Sequence, residues 1–198
     1  MKFIIHKLPA LVFFSVFLAA CQPSSAPKIV SSVNMQTGIN RALPPAQPPP
    51  NTANIEKFGW KLQSGTKQTL ADYKGKVVVL DFWATYCPPC LEEIPHLVSL
   101  QDKFKGDGLR VIGLHVGGPD DRPFVADFVT KLKIQYDLGE PEAELVDALF
   151  NGTDVIPQTF IFDRNGKLVE NFSSYDAAVR EELDRAVQRA LASAVSNK

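Results

Sequence analysis

Apolar residues in this chain of 198 fall into runs with two different periods. Val77-Val78-Val79-Leu80 and Val111-Ile112-Gly113-Leu114 are short, nearly unbroken apolar runs, the pattern of parallel strands buried on both faces. The first continues through Asp81 and Phe82 to Trp83. Between the two runs, residues 89–104 carry Cys90, Ile94, Leu97 and Phe104 at helical spacing, which predicts a strand–helix–strand unit. Residues 158–162 and 167–172 flank Arg164-Asn165-Gly166, a hairpin turn signal. Val179, Leu183, Ala186, Val187, Ala190 and Leu191 form a helical stripe, and Ser173-Ser174-Tyr175-Asp176 before it suits a capping box. The expected order is β-α-β, then a β-hairpin and a helix.

The first 54 residues follow neither period. Residues 1–20 read as a secretory signal, with Lys2 and Lys7 ahead of an apolar stretch from Leu8 to Ala20. That stretch is short for a membrane-spanning helix. It ends Leu18-Ala19-Ala20-Cys21, which resembles the lipobox of bacterial lipoproteins, where the cysteine is acylated. An ordinary signal peptide that leaves Cys21 free is the plainer alternative. Residues 21–54 hold Pro23, Pro27, Pro44, Pro45, Pro48, Pro49 and Pro50 among small polar residues, a composition that reads as a semi-rigid tether. Residues 55–198 remain, enough for one domain with a substantial core.

Charge narrows the partners. The whole chain has a formal net charge of −1, and loss of a leader containing Lys2 and Lys7 makes the remainder more acidic. That balance argues against nucleic acid and against an electrostatic grip on a membrane.

The chemistry sits between the first strand and the first helix, at Cys87-Pro88-Pro89-Cys90. A cysteine at a helix start meets unpaired backbone N–H groups and the positive end of the helix dipole, which favour thiolate over thiol. A second cysteine one turn on can resolve a mixed disulfide. Pro88 and Pro89 suit a first turn, where their missing N–H groups would be unpaired anyway. Zinc and a purely structural disulfide use the same spacing. Zinc needs about four ligands, and the inventory is thin: Cys21 lies in the leader, and His6, His96 and His115 show no paired spacing. The expectation is no metal and no cofactor beyond a redox-active Cys87–Cys90 pair.

The flanks make the reading specific. The stretch Asp81-Phe82-Trp83-Ala84-Thr85-Tyr86-Cys87-Pro88-Pro89-Cys90-Leu91-Glu92-Glu93-Ile94-Pro95, with Val155-Ile156-Pro157-Gln158-Thr159 further on, resembles the thioredoxin superfamily. More narrowly, it is similar to the TlpA/ResA-like reductases of bacterial envelopes. The resemblance implies an α/β thioredoxin-like fold, a central mixed sheet flanked by helices, with extra helical elements at residues 121–132 and 140–150. It implies that Cys87 attacks a substrate disulfide and Cys90 resolves it. It implies a cis-proline at Pro157 facing the disulfide, with Ile156 offering its main chain to an extended substrate. Trp83, Pro88 and Pro89 complete the substrate side. Tyr86 departs from the tryptophan usual at its position.

Two carboxylates stand close to the pair in sequence. Asp81 is either a strand-end residue reaching water or a buried proton acceptor for Cys90, since burial raises a carboxyl toward neutrality. Glu93 shares a helix face with Cys90 and either modulates the cysteines or is an ordinary exposed first-turn acid. Glu92 reads as a surface charge, and His96 and His115 as bystanders. The resemblance implies an envelope protein, lipid-anchored to a membrane, that reduces disulfides of client proteins, for example in cytochrome c maturation, and is recharged by a membrane thiol electron donor. An envelope oxidant or isomerase, a copper chaperone using the two thiolates and a passive peptide-binding module are the alternatives.

Overall fold

A computed structural model describes residue 52 and residues 54–195. The leader, Cys21 and nearly all of the tether lie outside these residues. The elements run β1 (Gly59–Leu62), β2 (Lys67–Thr69), β3 (Val77–Trp83), α1 (Pro88–Phe104), β4 (Leu109–His115), α2 (Gly118–Asp121), α3 (Val125–Leu132), β5 (Asp137–Pro141), α4 (Ala143–Phe150), β6 (Gln158–Phe162), β7 (Leu168–Phe172) and α5 (Ala177–Leu191). Seven strands form one mixed sheet in the order β2-β1-β5-β4-β3-β6-β7. β3, β4 and β5 are parallel, and the outer pairings are antiparallel.

All of β3 is buried, and its side chains alternate between two apolar layers. Val77, Val79 and Trp83 enter the layer that holds Leu97 of α1, Phe128 of α3 and Val187 of α5. Val78, Leu80 and Phe82 enter the other, with Leu145, Leu149 and Phe150 of α4 and with Trp60. The same alternation sends Asp81 toward the α1 layer. Each fully buried Leu or Phe contributes roughly 1.5–3 kcal/mol, so the central strand is fixed from both sides.

Several expectations need correction. The stretch 121–132 is not one helix: α2 ends at Asp121, Arg122–Phe124 form a 3-10 turn, and α3 follows. Pro123 in that turn supplies no N–H to a helical ladder. Residues 140–150 begin in a strand, because Glu140 and Pro141 pair with Lys61 and Trp60 of β1. α5 starts on Asp176, whose carboxylate accepts from the Val179 N–H at 2.9 Å; this is a plain N-cap. Among the described residues no helix is long and apolar enough to cross a membrane.

Candidate active site

The parallel strands β3 and β4 end side by side, Trp83 opposite His115, and the chain leaves β3 through a tight turn into α1. Cys87 is the N-cap of α1, with Pro88 and Pro89 in the first two helical positions. The Cys87 Sγ accepts from the Cys90 N–H at 3.3 Å. The two sulfurs are bonded, with an S–S distance of 2.04 Å and Cα atoms 5.3 Å apart. Cys87 is 4% exposed and Cys90 not at all. The outer cysteine is therefore Cys87, although little of it reaches the surface. Pro88 is exposed and Pro89 half-buried. Tyr86 next to them is 66% exposed.

Ile156 and Pro157 are joined by a cis peptide bond. They lead into β6, whose first residue Gln158 pairs with Phe82 near the end of β3. Pro157 is buried and Ile156 half-buried, and Ile156 packs against both core layers. The proline loop thus lies at the same end of the sheet as the disulfide. Trp83 is fully buried, stacked on Phe128 at 4.9 Å and edge-on to His115 at 5.2 Å.

On the side of β3 that faces the layer holding both cysteines lie two carboxylates. Asp81 is completely buried, so it does not reach water. Its register partner across β6 is Thr159, and the Thr159 hydroxyl donates to Glu93 Oε1 at 2.5 Å. Glu93 is also fully buried, one helical turn past Cys90, whereas Glu92 is exposed. Among the described residues neither oxygen of Asp81 has a hydrogen-bond partner, nor does Glu93 Oε2. Burial, reinforced by the neighbouring Glu93 charge, pushes Asp81 well above the usual carboxylate range. Burial pushes Glu93 up to about 7, against the opposing hydrogen bond from Thr159. Burial thus favours the protonated form of both acids, and Glu93 is held near the range where protons move at neutral pH.

A third acidic hydroxyl joins them. The buried Tyr136 is held well above its usual range by burial and by the charges of Asp81 and Glu93. Its ring reaches this spot because Gly113, opposite Asp81 in β4, has no side chain; a Cβ there would lie 3.0 Å from both Tyr136 Cε2 and Trp83 Nε1. Sequence patterning missed Tyr136, which precedes a strand that shows no apolar run.

The two histidines are more than bystanders. His96 Nε2 lies 2.9 Å from Asp184 Oδ1 and links α1 to α5. His115 Nε2 lies 2.8 Å from Asp121 Oδ2. Among the described residues no group of three or more His, Cys, Asp or Glu side chains is placed to hold a metal ion.

The chain is similar to the thiol-disulfide oxidoreductase ResA of Bacillus thuringiensis (strain Al Hakam), 33% identical over 106 residues, which is 54% of this chain and 60% of the relative. A ResA of Bacillus cereus is 34% identical over 133 residues, 63% of this chain and 69% of the relative. The first curated relatives are thus matched over about 60% of their own length. Among solved structures, the thioredoxin-family thiol:disulfide interchange protein of Chlorobium tepidum TLS superposes with a TM-score of 0.59 at 28% identity, covering 74% of this chain and 98% of that one. The fold is therefore thioredoxin-like, with a mixed sheet between helical layers. The AhpC/TSA family model matches residues 52–171, more than half of the sequence, and the chain belongs to that family.

Proposed function

We propose that this protein is a thiol–disulfide oxidoreductase working as a reductant. The observation that carries the reading is Cys87 at the helix start, bonded to a fully buried Cys90. In the reduced protein the Cys87 thiolate attacks a client disulfide. One client sulfur leaves as a thiolate, which takes a proton from solvent, and a mixed disulfide forms. Cys90 then gives its proton to a buried carboxylate, Asp81 in this reading, and attacks the Cys87 sulfur. The second client thiol is released and Cys87–Cys90 is left oxidised. Two electrons have passed to the client.

Glu93 tunes this step through its charge on Asp81. In this reading Ile156, before Pro157, offers its main chain to an extended client segment and Pro88 and Pro89 face the client, whereas Trp83, expected on the substrate side, is fully buried and supports the site from within. A membrane thiol donor would regenerate the dithiol. The leader, Cys21 and the proline-rich stretch support export to a bacterial envelope and attachment by acyl chains, with disulfide-bearing clients such as those of cytochrome c maturation. The test is reduction of insulin disulfides by the dithiothreitol-recharged protein. Turnover that is lost in Cys87→Ala supports the reading; no turnover by the parent chain contradicts it.

A further inference from the structure

Asp121 has no place in the dithiol chemistry above, yet it is 5% exposed and accepts three hydrogen bonds. The Thr85 backbone N–H donates to its Oδ2 at 2.8 Å, the Thr85 hydroxyl donates to its Oδ1, and His115 Nε2 lies 2.8 Å from Oδ2. Burial alone would raise this carboxyl, but the Thr85 and His115 bonds outweigh it and hold it below the usual range. Gly117 permits the close approach, since a Cβ there would collide with the Asp121 carboxylate. The far end is also anchored, because His115 meets Trp83 edge-on.

What Asp121 grips is the entry to the helix. The Cys87 N–H donates to the Ala84 carbonyl at 3.3 Å, closing a four-residue turn with Thr85 second and exposed Tyr86 third. At the turn's end Cys87 takes its extended backbone, φ −95° and ψ 104°, with Sγ on the Cys90 N–H. In the oxidised protein the disulfide also restrains Cys87. In the reduced protein that restraint is gone, and the turn before Cys87 and the Leu91 N–H bond to its carbonyl remain. We propose that Asp121 is a positioning residue for the dithiol, holding Thr85 at two points so that Cys87 Sγ stays at the start of α1 after reduction, with His115 fixing Asp121 from behind. This rests on Cys87 being the attacking thiol.

A looser turn lets Sγ swing off the Cys90 N–H and the helix end, and the thiolate loses its stabilisation. Thr85→Val removes the hydroxyl leg alone. It keeps the β-branched shape, the backbone N–H and the Asp121 charge, and leaves Asp81 of β3, Glu93 of α1, His115 of β4 and Tyr136 in place. The experiment follows the rate of Cys87 alkylation by iodoacetamide against pH in the reduced full chain, read by mass spectrometry. Thr85→Val is expected to move the midpoint to higher pH and to slow the reaction at neutral pH about five-fold, the worth of one hydrogen bond. Thr85→Ser, which keeps the hydroxyl, restores parental behaviour. If Thr85→Val titrates like the parent, even while losing thermal stability, the proposal is overturned. Amide hydrogen exchange in the parent is a second test. The Thr85 N–H should be equally protected in reduced and oxidised protein, and free exchange in the reduced form overturns the clasp. Neither measurement needs a client, so failure of insulin reduction would count against the proposed activity and leave this inference standing.

Discussion

Thr159 of β6 donates its hydroxyl to Glu93 of α1 at 2.5 Å, and through its register partner Asp81 it joins two fully buried carboxylates on the α1 side of β3. That bond is the feature that lowers Glu93 against the effect of burial. Thr159→Val keeps the shape and removes the donor. The Glu93 midpoint should then rise above about 7, followed by carboxyl-labelled NMR; an unchanged or lower midpoint would contradict the placement.

The same burial gives a stability profile of unusual sign. Glu93 rises from 4.5 to about 7 on folding, so between those values the folded protein holds a proton that the unfolded chain has released. Stability from this group is fully present below about 4.5 and is lost as pH rises through about 7. The loss is about 3 kcal/mol for a shift of this size, and the raised Asp81 acts in the same direction. Urea midpoints should be lower at pH 8 than at pH 5, and Glu93→Gln should flatten the profile. A midpoint that climbs across that interval would show the carboxylates to be ionised and satisfied.

Asp81→Asn removes the proposed proton acceptor for Cys90 without changing the shape of the strand end. Resolution of the mixed disulfide should slow by about 10²-fold, the lower range for a general base, while the equilibrium potential moves little. Stopped-flow measurement of the second step decides it. Equal rates in variant and parent would remove Asp81 from the mechanism.

The two cysteines should behave unequally. Alkylation of the reduced protein should label Cys87 before Cys90, since Cys87 retains 4% exposure and Cys90 none. Cys90→Ala should trap mixed disulfides with clients, and Cys87→Ala should not. Preferential labelling of Cys90 would reverse the assignment.

The proposed attachment to a membrane rests on Cys21, which lies outside the described residues. Cys21→Ser should abolish incorporation of labelled fatty acid and release the protein from membranes. A chain starting at Asn54 should be soluble and keep its dithiol activity. Fatty acid incorporated into Cys21→Ser would refute the anchor.

The sequence pattern carried the elements whose signals are local. β3, β4, α1, β6 and α5 lie within a few residues of where apolar period and turn residues put them, because each buries a full face or stripe. β1, β2 and β5 escaped: Gly59–Leu62, Lys67–Thr69 and Asp137–Pro141 are short and lack unbroken apolar runs, and their pairing is long-range. The cysteines were legible from their spacing before a helix, and the cis bond at Pro157 from the resemblance to the thioredoxin superfamily. Glu93 was read on the face of Cys90 from its three-residue spacing, with an exposed first-turn acid left open, and the fold decides it by burying Glu93 and leaving Glu92 out. Asp121 was not legible, since its three partners are brought together by the end of the sheet and by a one-turn helix.

The direction of electron flow is the central claim. Pro88 and Pro89 offer no N–H to the Cys87 sulfur, and the Cys90 N–H is the backbone donor it has. The two fully buried carboxyl groups on the α1 side of β3, Asp81 and Glu93, supply no cation. A thiolate held this weakly gives a reducing couple, because strong oxidants owe their potential to a heavily stabilised thiolate. Equilibration of the Cys87–Cys90 couple against graded dithiothreitol and glutathione mixtures, read by alkylation, measures the standard potential directly. The expected value lies near that of thioredoxin, roughly −270 mV, and a value near roughly −120 mV, as in DsbA, would contradict the reductase reading and make the protein a disulfide donor.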